Sequence, residues 1–303
     1  MIAFRGVGKT YRSIFGKSVR AVDDVTLEAH AGEVLGIAGP NGAGKSTLIS
    51  LLLGYLAPTD GDVTIDGVAP RAFIEREGIG YLSELVNIPP LWKAREALAR
   101  YAILAGIPAA DCAARVERVI TLLGLDEHRD KRVKALSKGN LQRLGLAQAL
   151  LREERVLILD EPTHGLDPVW TQKFRDIVDA LRRPDRVMLI ASHNLDELQR
   201  LADRVAIIDH GQVQRVVHVR AAAAGTAHVT YRLTLERGAE AAQRHLPGAT
   251  VLADGTIEVA AGDLVALNAG IAAAIADGAV FRAIGPTHSA LEQQFREAVG
   301  ADA

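Results

Sequence analysis

The residues best equipped for chemistry begin with "GPNGAGKS" at positions 39–46, which combines three glycines with a lysine and a hydroxyl. Gly, four residues, then Gly-Lys-Ser/Thr is the P-loop pattern. Its glycines let backbone N–H groups turn toward a phosphate, and the helix that follows adds roughly half a positive charge at its N-terminus. Gly39, Asn41, Gly42 and Gly44 form the cradle, Lys45 reaches the β- and γ-phosphates, Ser46 ligates Mg²⁺, and Thr47 adds a polar contact. The alternative is a chance glycine-rich turn. The context opposes it, because "EVLGIAG" reads as a strand before the loop and "KSTLISLLLGYL" as a helix after it.

A second constellation ends the apolar run "VLILDEP". Two carboxylates at the mouth of a buried strand are costly unless something binds them. Asp160 is placed to hold Mg²⁺, directly or through water, and Glu161 to polarise an attacking water as general base. A solvent-facing carboxylate pair is the alternative. His193 closes a further apolar run, "VMLIASHN". Alone it reads as a core or surface histidine; beside a P-loop and a strand-end glutamate it becomes a γ-phosphate contact. "LSKGNLQR" at 136–143 is a second glycine-containing loop opening into a helix. By itself it is equally an anion site or a helix cap with Ser137 as N-cap.

These groups need a scaffold, and residues 1–217 supply strand–loop–helix units. Near-continuous apolar runs alternating with helices indicate a parallel sheet covered on both faces. Residues 89–150 carry almost no strand signal and read as a helical insert. "VRAAAAGTA" at 219–227 reads as a linker. Beyond it, residues 228–303 form a small α+β domain, with a hairpin turning at Asp254-Gly255 and helices over "DLVALNAGIAAAIA" and "SALEQQFREAV". The fold class is α/β with this α+β appendage. A net charge of −2 over 303 residues argues against a nucleic-acid partner, which prefers a strongly basic face. The single cysteine, Cys112, excludes an internal disulfide or a multi-cysteine metal site. The opening residues do not read as a signal peptide. The most apolar stretches, 34–58 and 264–285, are interrupted by Lys45 and by Asp277 with several glycines, so membrane contact is expected only through a partner.

Taken together, residues 1 to about 217 resemble the ATP-binding subunit of an ABC (ATP-binding cassette) transporter. Seven motifs stand in that family's order. Tyr11 occupies the place of an aromatic that stacks on adenine, against a surface aromatic as the residue-level alternative. "GPNGAGKST" matches the Walker A motif, "YLSE" at 81–84 the Q-loop, "LSKGNLQR" the signature, "LILDEP" Walker B, "GLDP" at 165–168 the D-loop, and His193 the switch histidine. The resemblance implies a P-loop ABC-type ATPase core that binds ATP with Mg²⁺. It implies a head-to-tail dimer, with itself or with a homologous ATPase subunit. There Ser137, Gly139 and Asn140 of one copy close over the nucleotide of the other.

Four positions depart from the pattern. Glu84 replaces the Q-loop glutamine and joins the expected metal set with Ser46 and Asp160. Lys138 and Asn140 replace Gly and Gln of the signature, and His164 stands where the D-loop usually has Ser. None removes Lys45, Asp160, Glu161 or His193, so an active ATPase is expected. The tail is similar to that of subunits serving ABC-2-type exporters. The expected partner is therefore an integral-membrane permease of that type, reached from the cytoplasmic face of the inner membrane. Soluble repair or translation ATPases carry a very long coiled-coil insert or two cassettes, neither present here. A degenerate regulatory module would not keep Glu161 and His193.

Overall fold

The computed structural model describes residues 1–12, 18–219, 229–252, 254–261, 263–287 and 290–300. Apart from Val219, the expected linker at 219–227 lies outside them. The chain divides into two units, Met1–His218 and Val219–Ala303.

The apolar runs that announce buried strands form the centre of the first unit. β3 (Val34–Ala38), β6 (Val156–Asp160) and β7 (Val187–Ala191) are each five residues long and buried throughout. They lie in a six-stranded sheet ordered β5-β6-β7-β3-β8-β9, with β5 (Gly80–Leu82), β8 (Arg204–Asp209) and β9 (Gln212–His218). All neighbours are parallel except β8 and β9, which form an antiparallel hairpin. In such a sheet the carboxyl ends of parallel strands open on one side, and loops there collect ligands. The residues following β3, β6 and β7 are Gly39, Glu161 and Ser192.

A three-stranded antiparallel sheet, ordered β2-β1-β4, is a feature that sequence periodicity does not announce. It comprises β1 (Ile2–Arg12), β2 (Ser18–Ala29) and β4 (Asp60–Ile65). Ile2, Ala3 and Phe4 are all buried, which abolishes the alternation of a half-buried strand. Register shifts along both pairings displace the pattern again. Gly61 sits in the cause: at φ 73°, its absent Cβ would lie 2.2 Å from the Gly6 carbonyl oxygen. That approach reads in sequence as a turn rather than a strand. Ile2, Phe4, Val22 and Leu27 of this sheet share one core with Leu48 and Leu52 of α1 (Lys45–Leu52) and with Leu35, Ile158 and Leu189 of the parallel sheet.

Between β5 and β6 lie α3 (Ala94–Leu104), α4 (Ala109–Leu122) and α5 (Lys138–Ala149), preceded by α2 (Pro70–Glu77). α4 buries Val116, Val119 and Ile120 along one stripe, the helical spacing that marks the insert. α6 (Pro168–Leu181) starts with two helix-initiating features: Asp167 Oδ1 accepts from the Trp170 N–H at 2.9 Å, and Pro168 takes the first turn. α7 (Leu195–Leu201) is capped by Asn194.

The second unit runs β10 (Val229–Arg237), α8 (Ala239–His245), β11 (Thr250–Val251), β12 (Ile257–Ala261), α9 (Leu264–Ala276), β13 (Val280–Pro286) and α10 (Ala290–Val299). Its antiparallel sheet is ordered β11-β12-β10-β13, a ferredoxin-like split β-α-β arrangement. Leu233, Leu246, Ile257, Leu267 and Ile271 make its own core. β11 and β12 pair across the expected hairpin, where Asp254 Oδ1 accepts from the Thr256 N–H at 3.0 Å. Among the described residues no helix is long and apolar enough to cross a membrane.

Candidate functional site

The loop between β3 and α1 is shaped by glycine at points where a side chain is excluded. Gly42 and Gly44 hold φ of 83° and 108°, and a Cβ on Gly44 would lie 2.6 Å from the Ala21 carbonyl oxygen. A Cβ on Gly39 would meet the Ile208 carbonyl oxygen at 2.3 Å, so the loop's first turn packs directly on the end of β8. The loop borders a cavity of about 700 Å³ lined by Asn41, Lys45, Ser46, Asp160, Glu161 and His193, with Glu84, His164 and Ala21 also on its wall.

Lys45 is buried, and its Nζ donates to the carbonyl oxygens of Gly39 at 2.6 Å and Pro40 at 3.1 Å. Burial pulls its pKa below the ordinary lysine value, opposed by the charges of Glu161, Asp160 and Glu84. Asp160 is 6% exposed. Burial first, then Glu84 and Glu161, push its pKa from 3.8 up to about 6, against the pull of Lys45. A buried acid crowded by two others is a site that a cation relieves. The oxygen donors here, the Ser46 hydroxyl and the Asp160 carboxylate, suit a hard cation that keeps several waters. The residues therefore fit Mg²⁺, and the N-terminus of α1 with Lys45 fits the phosphates of a nucleotide.

The crowding gives a pH signature. The folded chain holds the Asp160 proton more tightly than the unfolded chain. The associated stability is complete below about pH 4 and is lost as pH rises through about 6. Asp160→Asn keeps the shape without the charge. Without metal or nucleotide, it should be the more stable protein at pH 8, by on the order of 3 kcal/mol for a pKa raised to about 6. Urea unfolding in chelator should show this gap closing as pH falls from 7 to 4. A gap independent of pH would refute the electrostatic account.

Glu161 stands at φ 47°, a left-handed conformation unusual for glutamate. Its N–H donates to the Ala191 carbonyl oxygen at 2.8 Å, anchoring the end of β6 to the end of β7. Its Oε1 accepts from the His193 N–H at 2.9 Å, and its Oε2 accepts from Ser192 Oγ at 3.3 Å and lies 2.8 Å from His193 Nδ1. A carboxylate offers about four acceptor positions, so one on Oε1 is left for a water proton. The His193 side chain is 63% exposed, its ring at the cavity rim. Tyr11 lies beside the loop, its hydroxyl 3.5 Å from Thr47 Oγ1, and the residue is 41% exposed.

Ser137, Gly139 and Asn140 are not on the wall of this cavity. Ser137 is the N-cap of α5, its Oγ accepting from the Asn140 N–H at 3.2 Å. Gly139 packs against the turn after β6, where a Cβ would lie 3.0 Å from the Gly165 carbonyl oxygen. Two of the departures from the family pattern touch: Lys138 Nζ contacts His164 Nε2. Asn140 Oδ1 accepts from Arg143, whose guanidinium lies 3.9 Å from the Trp170 ring.

Sequence reasoning passed over Gln142. It is 5% exposed, and its Nε2 donates to the carbonyl oxygens of Glu161 and Pro162, each at 3.1 Å. It ties α5 to the backbone of the candidate base. The available signal was a glutamine among the buried positions of α5. Ala21 was missed because the strand that carries it was missed.

The family model described as "ABC transporter" matches residues 22–164. The chain is 36% identical over 222 residues to the methionine import ATP-binding protein MetN 3 of Shouchella clausii. That match covers 70% of this chain and spans 64% of the relative's length. It is 34% identical over 293 residues to an uncharacterised ABC transporter ATP-binding protein, YdbJ, of Bacillus subtilis, covering 94% of this chain and 92% of the relative. Among solved structures, the dimeric post-hydrolysis state of the ATP-binding cassette MJ0796, bound to ADP and Pi, superposes with a TM-score of 0.67 at 25% identity. It covers 73% of this chain and 99% of its own.

Proposed function

The chain belongs to the ABC transporter family as an ATPase cassette that takes ATP with Mg²⁺, and from that premise we propose that it energises an integral-membrane permease. The observation that carries the reading is the convergence of Lys45, Ser46, Asp160, Glu161 and His193 on one cavity behind a P-loop.

The chemistry follows from their positions. Lys45 and the N–H groups opening α1 hold the β- and γ-phosphates. Ser46 and Asp160, with Glu84 on the same wall, would hold Mg²⁺, which would supply positive charge against the phosphates. Glu161 takes a proton from water through its open Oε1 position. His193, whose Nδ1 lies 2.8 Å from that carboxylate, holds it in place and turns its ring toward the γ-phosphate. Tyr11 stacks on adenine, and Thr47 adds a hydroxyl beside it. The working unit is a dimer with itself or a homologous subunit. Ser137, Gly139 and Asn140 serve the partner's nucleotide, a reading supported by their place off the wall of their own chain's cavity.

The permease contact is supported by a groove of about 560 Å³ whose lining includes residues on both sides of Glu84, Ser83 and Leu85. Tyr55, Tyr81, Leu85, Val86 and Tyr101 line it, with Tyr55 71% and Leu85 80% exposed. Large apolar side chains so exposed around a concavity mark a protein contact. The chain then works at the cytoplasmic face of the inner membrane. Glu84, Lys138 and the C-terminal unit favour an ABC-2-type exporter. A methionine importer is the second reading, favoured by the MetN 3 match.

Co-expression with a candidate integral-membrane permease tests the proposal. Leu85→Asp with Tyr55→Asp should release the chain from membranes while the soluble ATPase persists. Retention of that variant on the permease would contradict the assigned surface. ATP-driven accumulation in inside-out vesicles marks export; its absence, with uptake in cells, marks import.

A further inference from the structure

Glu197 is fully buried, and nothing in the hydrolysis scheme uses it. It lies in the first turn of α7, four residues after His193, and its Oε2 accepts a hydrogen bond from Thr163 Oγ1. Thr163 in turn lies two residues after Glu161. The two residues whose side chains meet at the reaction centre are therefore joined a second time, behind it, through Thr163 and Glu197. We propose that Glu197 is a positioning residue for ATP hydrolysis, holding the turn that carries Glu161 at a fixed distance from the loop that carries His193.

The turn needs such a brace. Glu161 sits at φ 47°, and residues off the common backbone regions persist only where their surroundings over-determine them. From the α5 side, Gln142 holds the carbonyls of Glu161 and Pro162. From the α7 side, Glu197 is the side chain that holds Thr163. Stability alone gives no reason for a carboxylate here. Its Oε1 and the Nε of Arg175 are buried without hydrogen-bond partners among the described residues. Burial is the largest influence raising its pKa, opposed by Thr163 and Arg175, with Glu161 raising it further and His193 lowering it. An aliphatic side chain would pack in the same volume without that penalty.

The inference rests on the ATPase reading, so wild-type turnover is measured first; a wild type that never hydrolyses ATP overturns both. Given turnover, Thr163→Val keeps volume and removes the donor. It should lower kcat roughly 10- to 100-fold, the loss expected of one charge-assisted hydrogen bond at a reacting geometry. KM for ATP should stay near wild type, because neither residue is on the cavity wall. Glu197→Ala should fall by a similar factor, and the double variant should fall no further than the worse single one. Glu197→Gln retains an acceptor for Thr163 and should lower kcat only about 3- to 10-fold, since a neutral hydrogen bond has roughly half the strength. If Glu197→Ala does not fold, Thr163→Val and Glu197→Gln decide alone. Thr163→Val with unchanged kcat, losses confined to melting temperature, or a raised KM with kcat intact would each overturn the assignment.

Discussion

Glu161→Gln should bind ATP and hardly hydrolyse it. Glutamine fills nearly the same volume, and its amide oxygen can still accept one bond from the 192–193 loop. It cannot accept the water proton on the position that Glu161 Oε1 leaves open. A positioned general base contributes typically 10²- to 10⁴-fold, so turnover should fall by about that factor. Binding should move the other way. Asp160, Glu161 and Glu84 crowd one cavity with Lys45, and removing one negative charge favours a polyanionic ligand. The bound nucleotide then has no exit through hydrolysis, and the ATP-bound dimer should accumulate. Gel filtration with ATP and Mg²⁺ should show this variant at dimer size while the wild type returns to monomer as ATP is consumed. A variant that remains monomeric while hydrolysing at the wild-type rate would remove Glu161 from the role of base.

The parts of the cassette that were legible in sequence are those where local chemistry forces residue type. Fully buried parallel strands demand unbroken apolar runs, and β3, β6 and β7 have them. The phosphate loop demands glycine where φ is positive, and Gly42 and Gly44 stand there. The antiparallel sheet was not legible because bulges and consecutive buried residues erase its period of two. Contacts made across long sequence separations were equally silent. Gln142 lies 19 and 20 residues from the carbonyls it holds, and Glu197 lies 34 from Thr163. Neither residue type nor local spacing marks such a pair. The ABC-2 exporter reading is of another kind. It rests on Glu84, Lys138 and the tail, whereas a relative at 36% identity is a methionine import ATP-binding protein. The cassette alone therefore carries the ATPase assignment, and the direction of transport stays with the proposed permease.

In the proposed dimer this chain supplies half of each of two composite ATPase sites. Lys45→Ala removes the cation that anchors the phosphates; charge-assisted bonds of that kind contribute roughly 1.5–3 kcal/mol each. Ser137→Arg removes the N-cap of α5 and places a long side chain where Gly139 already packs close to Gly165. Each homodimer then has two damaged sites and should be nearly inactive. In a mixed dimer one site collects both defects, and the other pairs an intact phosphate loop with an intact α5 N-terminus. The decisive measurement is ATP turnover against the mixing ratio of the two variants, with heterodimers confirmed by a label exchanged between subunits. Intact composite sites firing independently predict turnover rising from near zero to about half of wild type per heterodimer, one working site in two. No recovery at any ratio, with heterodimers present and the wild-type–Lys45→Ala mixed dimer active on its one good site, would contradict the account.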